Sequence, residues 1–212
     1  MPVDLLAPKD LFEKPDQPIH LDIGCAKGDF LFLQAASEPN WNFLGLEIRN
    51  SLVVSAEKKR IKLGLNNLNF SFCNVNVSLE PWLEKLPPDL LQRVSVQFPD
   101  PWFKKRHKKR RIFQSSLLIS LSKALGPGRQ LFLKSDVLEI IKEITDLIEL
   151  GGCFERLDFK GNHFRMENPF IFLTEREQYV LSQGLEVYRA NFVRNKSQPS
   201  EFMYLEGESN KP

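Results

Sequence analysis

Apolar runs of strand length alternate along the chain with stretches of helical spacing. "IHLDI" (19–23) reads as a strand, followed by a Gly-containing turn and a helix near 28–37. "NFLGLE" (42–47) is a second strand, and 50–64 a helix ending near Gly64. "NFSFC" (69–73) and "RVSVQF" (93–98) are the third and fourth strands, the latter alternating and rich in apolar residues. "IFQSSLLISLSKAL" (112–125) has helical spacing and stops at Gly126-Pro127-Gly128. "RQLFLK" (129–134) is a fifth strand, and 136–150 a helix stopped by Gly151-Gly152. "CFERLDF" (153–159) and "VYRANFVR" (187–194) read as a closing strand pair.

Strand–helix alternation with short turns predicts an α/β fold, a mostly parallel sheet with helices on both faces. The short final connections predict an antiparallel edge. In such sheets ligands bind beyond the carboxyl ends of the strands. Asp22 to Gly28, Glu47, Asn74, Phe98 to Trp102, and Lys134 to Asp136 all fall at strand ends.

At 212 residues the chain fits one domain, expected over 1–206 with a polar tail at 207–212. A net charge of +2 hides an asymmetry: seven of the 29 Lys and Arg residues lie between Lys104 and Arg111, with no acid among them. The rest of the chain is therefore net acidic, so the basic block implies a local anionic partner. Cys25, Cys73 and Cys153 are odd in number and widely spaced, and His20, His107 and His163 form no ligand cluster. A structural metal and a disulfide framework are not expected, which favours a reducing cytoplasm. The sequence carries no signal pattern and no apolar run of membrane-spanning length. The cysteines, Phe30, Trp41 and Trp82 are expected to serve packing.

"LDIGCAKGDFL" places Gly24 and Gly28 between the first strand and first helix, where glycine permits a sharp turn and close approach to a ligand. Ala26 breaks a full GxGxxG fingerprint. Asp22 would repel a pyrophosphate but could hold an ammonium group, and Glu47 could accept bonds from two ribose hydroxyls. This combination suits S-adenosylmethionine better than NAD. The order Asp22, Gly24, Gly28, Glu47 resembles the first two motifs of class I, Rossmann-like methyltransferases. The resemblance implies a seven-stranded sheet and puts Asn74 beside the adenine. A turn-forming role for Asn74 stays open.

Next comes "FPDPWFKKRHKKRR" (98–111). Pro99 fixes its own φ and Pro101 pushes Asp100 into an extended conformation, so a carboxylate is held on a stiff backbone at a strand end. A rigid surface turn would look the same. Seven like charges behind it repel one another, and phosphate contacts give them a purpose. The stretch resembles the signature of bacterial tRNA (guanine-N7-)-methyltransferases, the TrmB family. The resemblance continues through "KSD" (134–136), "TERE" (174–177) and "GLEVYRANFVR" (184–194), covering about residues 18 to 195. Departures are Asp22 where Glu is common, Ala26 where Gly is frequent, Asn74 where Asp is common, and Phe103 in place of Pro. Asn74 and Ala26 bear on cofactor affinity.

The family reaction moves the methyl of S-adenosylmethionine to guanine N7. The resemblance implies transfer to the variable-loop guanosine of tRNA. N7 carries no proton, so no general base is required. Asp100 is expected to orient the guanine and stabilise the cation, at the meeting point of cofactor and acceptor. Asp22, Gly24, Gly28, Glu47 and Asn74 would complete the cofactor site. Lys104, Asp136, Thr174 and Glu177 are the substrate positions that the resemblance implies. Lys105, Arg106, Lys108, Lys109, Arg110 and Arg111 would bind tRNA phosphates. Asp136 could instead be a helix N-cap, and Thr174 to Glu177 a capping box. The expected partner is tRNA, with no membrane, no metal and no obligate protein partner; monomer and homodimer both remain open. Two alternatives compete: an NAD-dependent dehydrogenase, weakened by Asp22, and a non-catalytic RNA-binding protein on the same scaffold.

Overall fold

The structure, a computed structural model, describes residues 3–101, 111–157, 164 and 166–201. Seven strands form one sheet: β1 (Ile19–Ile23), β2 (Asn42–Glu47), β3 (Leu68–Phe72), β4 (Leu91–Gln97), β5 (Gln130–Ser135), β6 (Phe154–Arg156) and β7 (Tyr188–Arg194). Their order is β3-β2-β1-β4-β5-β7-β6. β3, β2, β1, β4 and β5 run parallel, while β7 runs antiparallel to both neighbours. The reversed strand is thus one place in from the edge, and β6 pairs with it alone.

Eight helices are described: α1 (Pro8–Leu11), α2 (Asp29–Ser37), α3 (Asn50–Leu63), α4 (Val75–Ser78), α5 (Glu80–Glu84), α6 (Ser115–Ala124), α7 (Leu138–Gly151) and α8 (Glu175–Ser182). The expected elements stand at these places, β1 and β2 with the expected bounds and the others with ends moved by up to three residues; positions 158 and 159 of the expected closing strand lie outside the described residues. α1, α4 and α5 are too short to announce themselves by periodicity.

β1 and β2 are buried at every position, as central parallel strands covered on both faces must be. Residue alternation then sorts the core. Ile19, Leu21 and Ile23 face a cluster built with α5, α6 and α7, including Ile140, Ile141, Ile144 and Ile148 of α7. The opposite face carries an aromatic cluster of Phe30, Phe32, Phe43, Phe70, Phe132 and Phe170. Burying such side chains fully contributes about 1.5–3 kcal/mol each. Phe30 and Trp82 are buried and Trp41 packs against the aromatic cluster, as expected of core residues.

The aromatic face also holds a polar column. His20 and Asp22 of β1, Ser95 and Gln97 of β4, and Lys134 of β5 are all buried. Strand order reverses between β1 and β4, so the crevice for a ligand opens beyond their carboxyl ends. Among the described residues, no helix is long and apolar enough to cross a membrane.

Candidate active site

A cavity of about 860 Å³ opens beyond those carboxyl ends. Its walls bring together Asp22, Gly24, Gly28, Glu47, Asn74, Asp100, Asp136 and Thr174, which span most of the chain in sequence.

The first turn is held by backbone. Gly24 and Cys25 donate N–H bonds to the Leu46 carbonyl at 2.8 and 3.1 Å. Gly28 sits at φ +77° at the N-terminus of α2, and a Cβ there would lie 2.3 Å from the Phe70 ring. Both facts require glycine. Ala26, at the position where the family pattern has Gly, adopts φ +51°. It keeps the left-handed turn at some strain. Its N–H donates to Glu47 at 3.1 Å.

Asp22 is buried at the end of β1. Ser95 Oγ donates to its Oδ1 at 2.5 Å and Gln97 Nε2 to the same oxygen at 3.1 Å. Oδ2 carries neither bond and is left for a ligand. Ser95 spends its hydrogen on Asp22, so at 2.8 Å it accepts from His20 Nε2. That fixes the His20 tautomer and leaves Nδ1 without a partner among the rings of Phe30, Phe43 and Phe170. Burial holds His20 well below the usual imidazole range, with Arg93 adding to it. Burial pushes Asp22 up, opposed by the bonds from Ser95 and Gln97 and by the Lys134 charge.

Glu47 ends β2. Arg49 donates its backbone N–H and Nε to Oε1 at 2.9 and 3.1 Å, and its terminal nitrogen to Oε2 at 3.3 Å. Burial alone would raise this carboxyl, but the bonds from Arg49 and Ala26 outweigh it, and Glu47 lies below its ordinary value. Asn74 is the N-cap of α4, accepting from Asn76 N–H at 3.3 Å, so the turn-forming role is real. It also lines the cavity.

β4 leaves the sheet through Phe98 at φ +50°, whose N–H donates to the Lys134 carbonyl at 2.7 Å. A left-handed Phe is uncommon and costs energy. No sequence signal marks it. It turns Pro99 and Asp100 over the cavity mouth, where Asp100 is exposed.

The remaining substrate positions divide. Asp136 is not an N-cap: Val137 occupies that place, and Asp136 pairs with Arg176 of α8 at the cavity wall. Thr174 caps α8, accepting from Glu177 N–H at 3.1 Å. Glu177 does not complete a capping box and does not reach the cavity. It is fully buried, and its carboxylate is spent on Lys134 and on Arg189 at 2.7 Å. Burial lowers Lys134, and Glu177 opposes that shift. Lys134 and Arg189 are the partners that sequence reasoning missed. Arg111 pairs with Glu143 of α7. Lys104, Lys105, Arg106, Lys108, Lys109 and Arg110 lie outside the described residues, as do Trp102 and Phe103. Cys73 and Cys153 are buried and the half-buried Cys25 packs against the aromatic cluster, as expected; Cys25 and Cys73 also line the cavity. Burial pushes the Cys73 thiol up to about 12.

The acidic side chains fit a cationic amino-acid nucleoside, with the Asp22 carboxylate suited to an ammonium and the Glu47 carboxylate to ribose hydroxyls. A Rossmann-like sheet with this site defines a class I, S-adenosylmethionine-dependent methyltransferase. Solved methyltransferases share the fold. The aminoglycoside resistance methyltransferase NpmB1 aligns with a TM-score of 0.51 at 15% identity, over 88% of this chain and 90% of that one. A Streptococcus thermophilus rRNA methylase gives 0.51 at 11%, over 89% and 92%.

Residues 16–190 match a family model described as "Putative methyltransferase". The chain is 54% identical over 206 residues to the tRNA (guanine-N(7)-)-methyltransferase of Prochlorococcus marinus strain MIT 9313, covering 97% of this chain and 87% of that relative. It is 52% identical over 198 residues to the enzyme of that name from Synechococcus sp. strain CC9311, covering 93% and 84%. The chain belongs to the tRNA (guanine-N7-)-methyltransferase family.

Proposed function

We propose that the chain transfers the methyl group of S-adenosylmethionine to N7 of a guanosine in tRNA, and that the acceptor is the variable-loop guanosine. The observation that carries this reading is the convergence of Asp22, Glu47, Asn74 and Asp100 on one cavity, in a chain of this family. Bound there, S-adenosylmethionine offers an electrophilic methyl: its S–C bond breaks as the N7 lone pair forms the new N–C bond, and the positive charge passes to the purine.

The residues divide the work. Asp22 takes the ammonium on Oδ2, held in place by Ser95 and Gln97. Glu47 takes the ribose hydroxyls, and Asn74 stands at the adenine. Asp100 accepts hydrogen bonds from guanine N–H groups. Those groups become better donors as the ring turns cationic, so the bonds strengthen in the transition state. Its proline-locked backbone means little is spent on ordering it. Thr174 accepts a backbone bond at Oγ1 and keeps its own hydrogen to donate to the acceptor nucleoside. Asp136 lies beside it. Glu177 acts from below, seating the helix that Thr174 caps. Lys104 contacts the acceptor side, and Lys105, Arg106, Lys108, Lys109, Arg110 and Arg111 hold phosphates. Residues 1–206 act as one domain, in the cytoplasm.

The test uses unmodified tRNA transcript, isotopically labelled S-adenosylmethionine and nucleoside mass spectrometry. Label in 7-methylguanosine, lost when the variable-loop guanosine is replaced by adenosine, is the expected result. Label in another nucleoside would overturn the acceptor assignment. RNA binding without any label would favour a non-catalytic scaffold.

A further inference from the structure

Glu47 is already full. A carboxylate offers about four acceptor positions, and the structure fills four: Arg49 N–H and Nε on Oε1, Ala26 N–H and an Arg49 terminal nitrogen on Oε2. The two backbone bonds belong to the turn and to the start of α3. The two side-chain bonds come from a guanidinium that is 62% exposed and free to leave. A ribose needs two acceptor positions for its vicinal hydroxyls, so it must take those of Arg49. Arg49 mimics, with a planar two-donor fork, the diol that Glu47 is placed to bind.

The displaced guanidinium stays at the cavity mouth. Arg49 and Asp100 line the same cavity. A guanidinium stays protonated without its bonds to Glu47, and the Asp100 charge acts in the same direction. Arg49 therefore remains a full cation on the side where the proposed acceptor enters, and a polyanion is its natural next partner.

We propose that Arg49 occupies the ribose subsite in the free chain, is displaced by the cofactor, and then becomes a ligand for a tRNA phosphate, so that cofactor binding primes tRNA binding. This rests on the methyltransferase reading above. Coupling of this kind is reciprocal: whatever factor the cofactor contributes to tRNA affinity, tRNA contributes to cofactor affinity. Arg49 is thus distinct from the basic block at 104–111, which is positive with or without cofactor.

Arg49→Ala tests the inference by calorimetry with S-adenosylhomocysteine and by filter binding with unmodified tRNA. The variant is expected to bind S-adenosylhomocysteine about three- to tenfold more tightly than the wild type, because a part-exposed ion pair no longer has to be broken. Saturating S-adenosylhomocysteine should tighten tRNA binding several-fold in the wild type and leave it unchanged in the variant. Equal or weaker S-adenosylhomocysteine binding by the variant overturns the competition. Equal tightening of tRNA in both proteins overturns the phosphate role. A wild type that binds no S-adenosylhomocysteine overturns the methyltransferase reading itself, an outcome distinct from either.

Discussion

Removing the Glu177 carboxylate strands two cations. Lys134 and Glu177 are both 0% exposed, and Arg189 is largely covered. Glu177→Leu leaves an ammonium in the core under α8 without its hydrogen-bonded counter-charge; Arg189 repels it, and the more weakly acting Asp22 is the anion that remains. Breaking a buried pair by deleting one partner costs about 3–5 kcal/mol. For a chain of this size that lowers Tm by on the order of 10 °C. Lys134→Met should cost less, because Glu177 keeps Arg189. The double variant Lys134→Met with Glu177→Leu replaces charges by apolar volume. Arg189 then still donates to the Met166 and Val187 carbonyls. The double variant should therefore be markedly more stable than Glu177→Leu alone. Urea unfolding of all four proteins, followed by circular dichroism, gives the cycle. A coupling energy of about 2 kcal/mol or more is expected. Additive single effects would show that the triad is not energetically linked and would refute the reasoning.

Other outcomes follow from the same geometry. Gly28→Ala meets both a left-handed φ and the Phe70 ring and should cost about 2–4 kcal/mol; Gly64→Ala, with the same sign of φ and open space, should cost only about 1 kcal/mol. Equal unfolding midpoints would remove Phe70 from the explanation. Ser95→Ala takes one bond from Asp22 and should raise the KM for S-adenosylmethionine roughly 5- to 30-fold with kcat little changed, and a fall in kcat alone would contradict the positioning role. His20 is held well below its ordinary value of 6.5, so below that pH the unfolded chain gains a proton that the folded chain refuses. Stability should drop between pH 7.5 and 5.5, and His20→Gln should flatten the slope; Asp22, with its raised value, acts oppositely, from its ordinary 3.8 upward. Asp100→Asn should lower kcat at every pH, and near-native turnover would end the electrostatic role.

Much of this was legible. The strands around the cavity are short runs carrying apolar residues and bounded by turns, and the polar side chains stand at or just beyond their carboxyl ends. That placed Asp22, Glu47, Asn74 and Asp100 before any geometry was known. What escaped reading depends on who faces whom. Lys134 looks like an exposed strand end, and only its register against β4 and β7 shows that it is enclosed. Glu177 fits a capping box by spacing, yet a buried lysine outbids the backbone for its carboxylate. Phe98 and Ala26 adopt left-handed conformations that their side chains disfavour, because the chain on either side is pinned. Alternation did hold one unused clue: Arg93, Ser95 and Gln97 fall on one face of β4, beside His20 and Asp22.

The insertion of β7 between β5 and β6 makes assembly vectorial. The turn, Glu47 and Asn74 belong to the first part of the chain to be made, through contacts between near neighbours in sequence. β5 keeps an unpaired edge until residues 188–194 arrive, and α8, with Thr174, docks against that late strand through Arg189 and Glu177. During synthesis the turn after β1 can form before α8 and Thr174 are seated. A nascent chain stalled before Tyr188 would present an open, sticky sheet edge. Quality control has a single late event to watch: the closing of one strand.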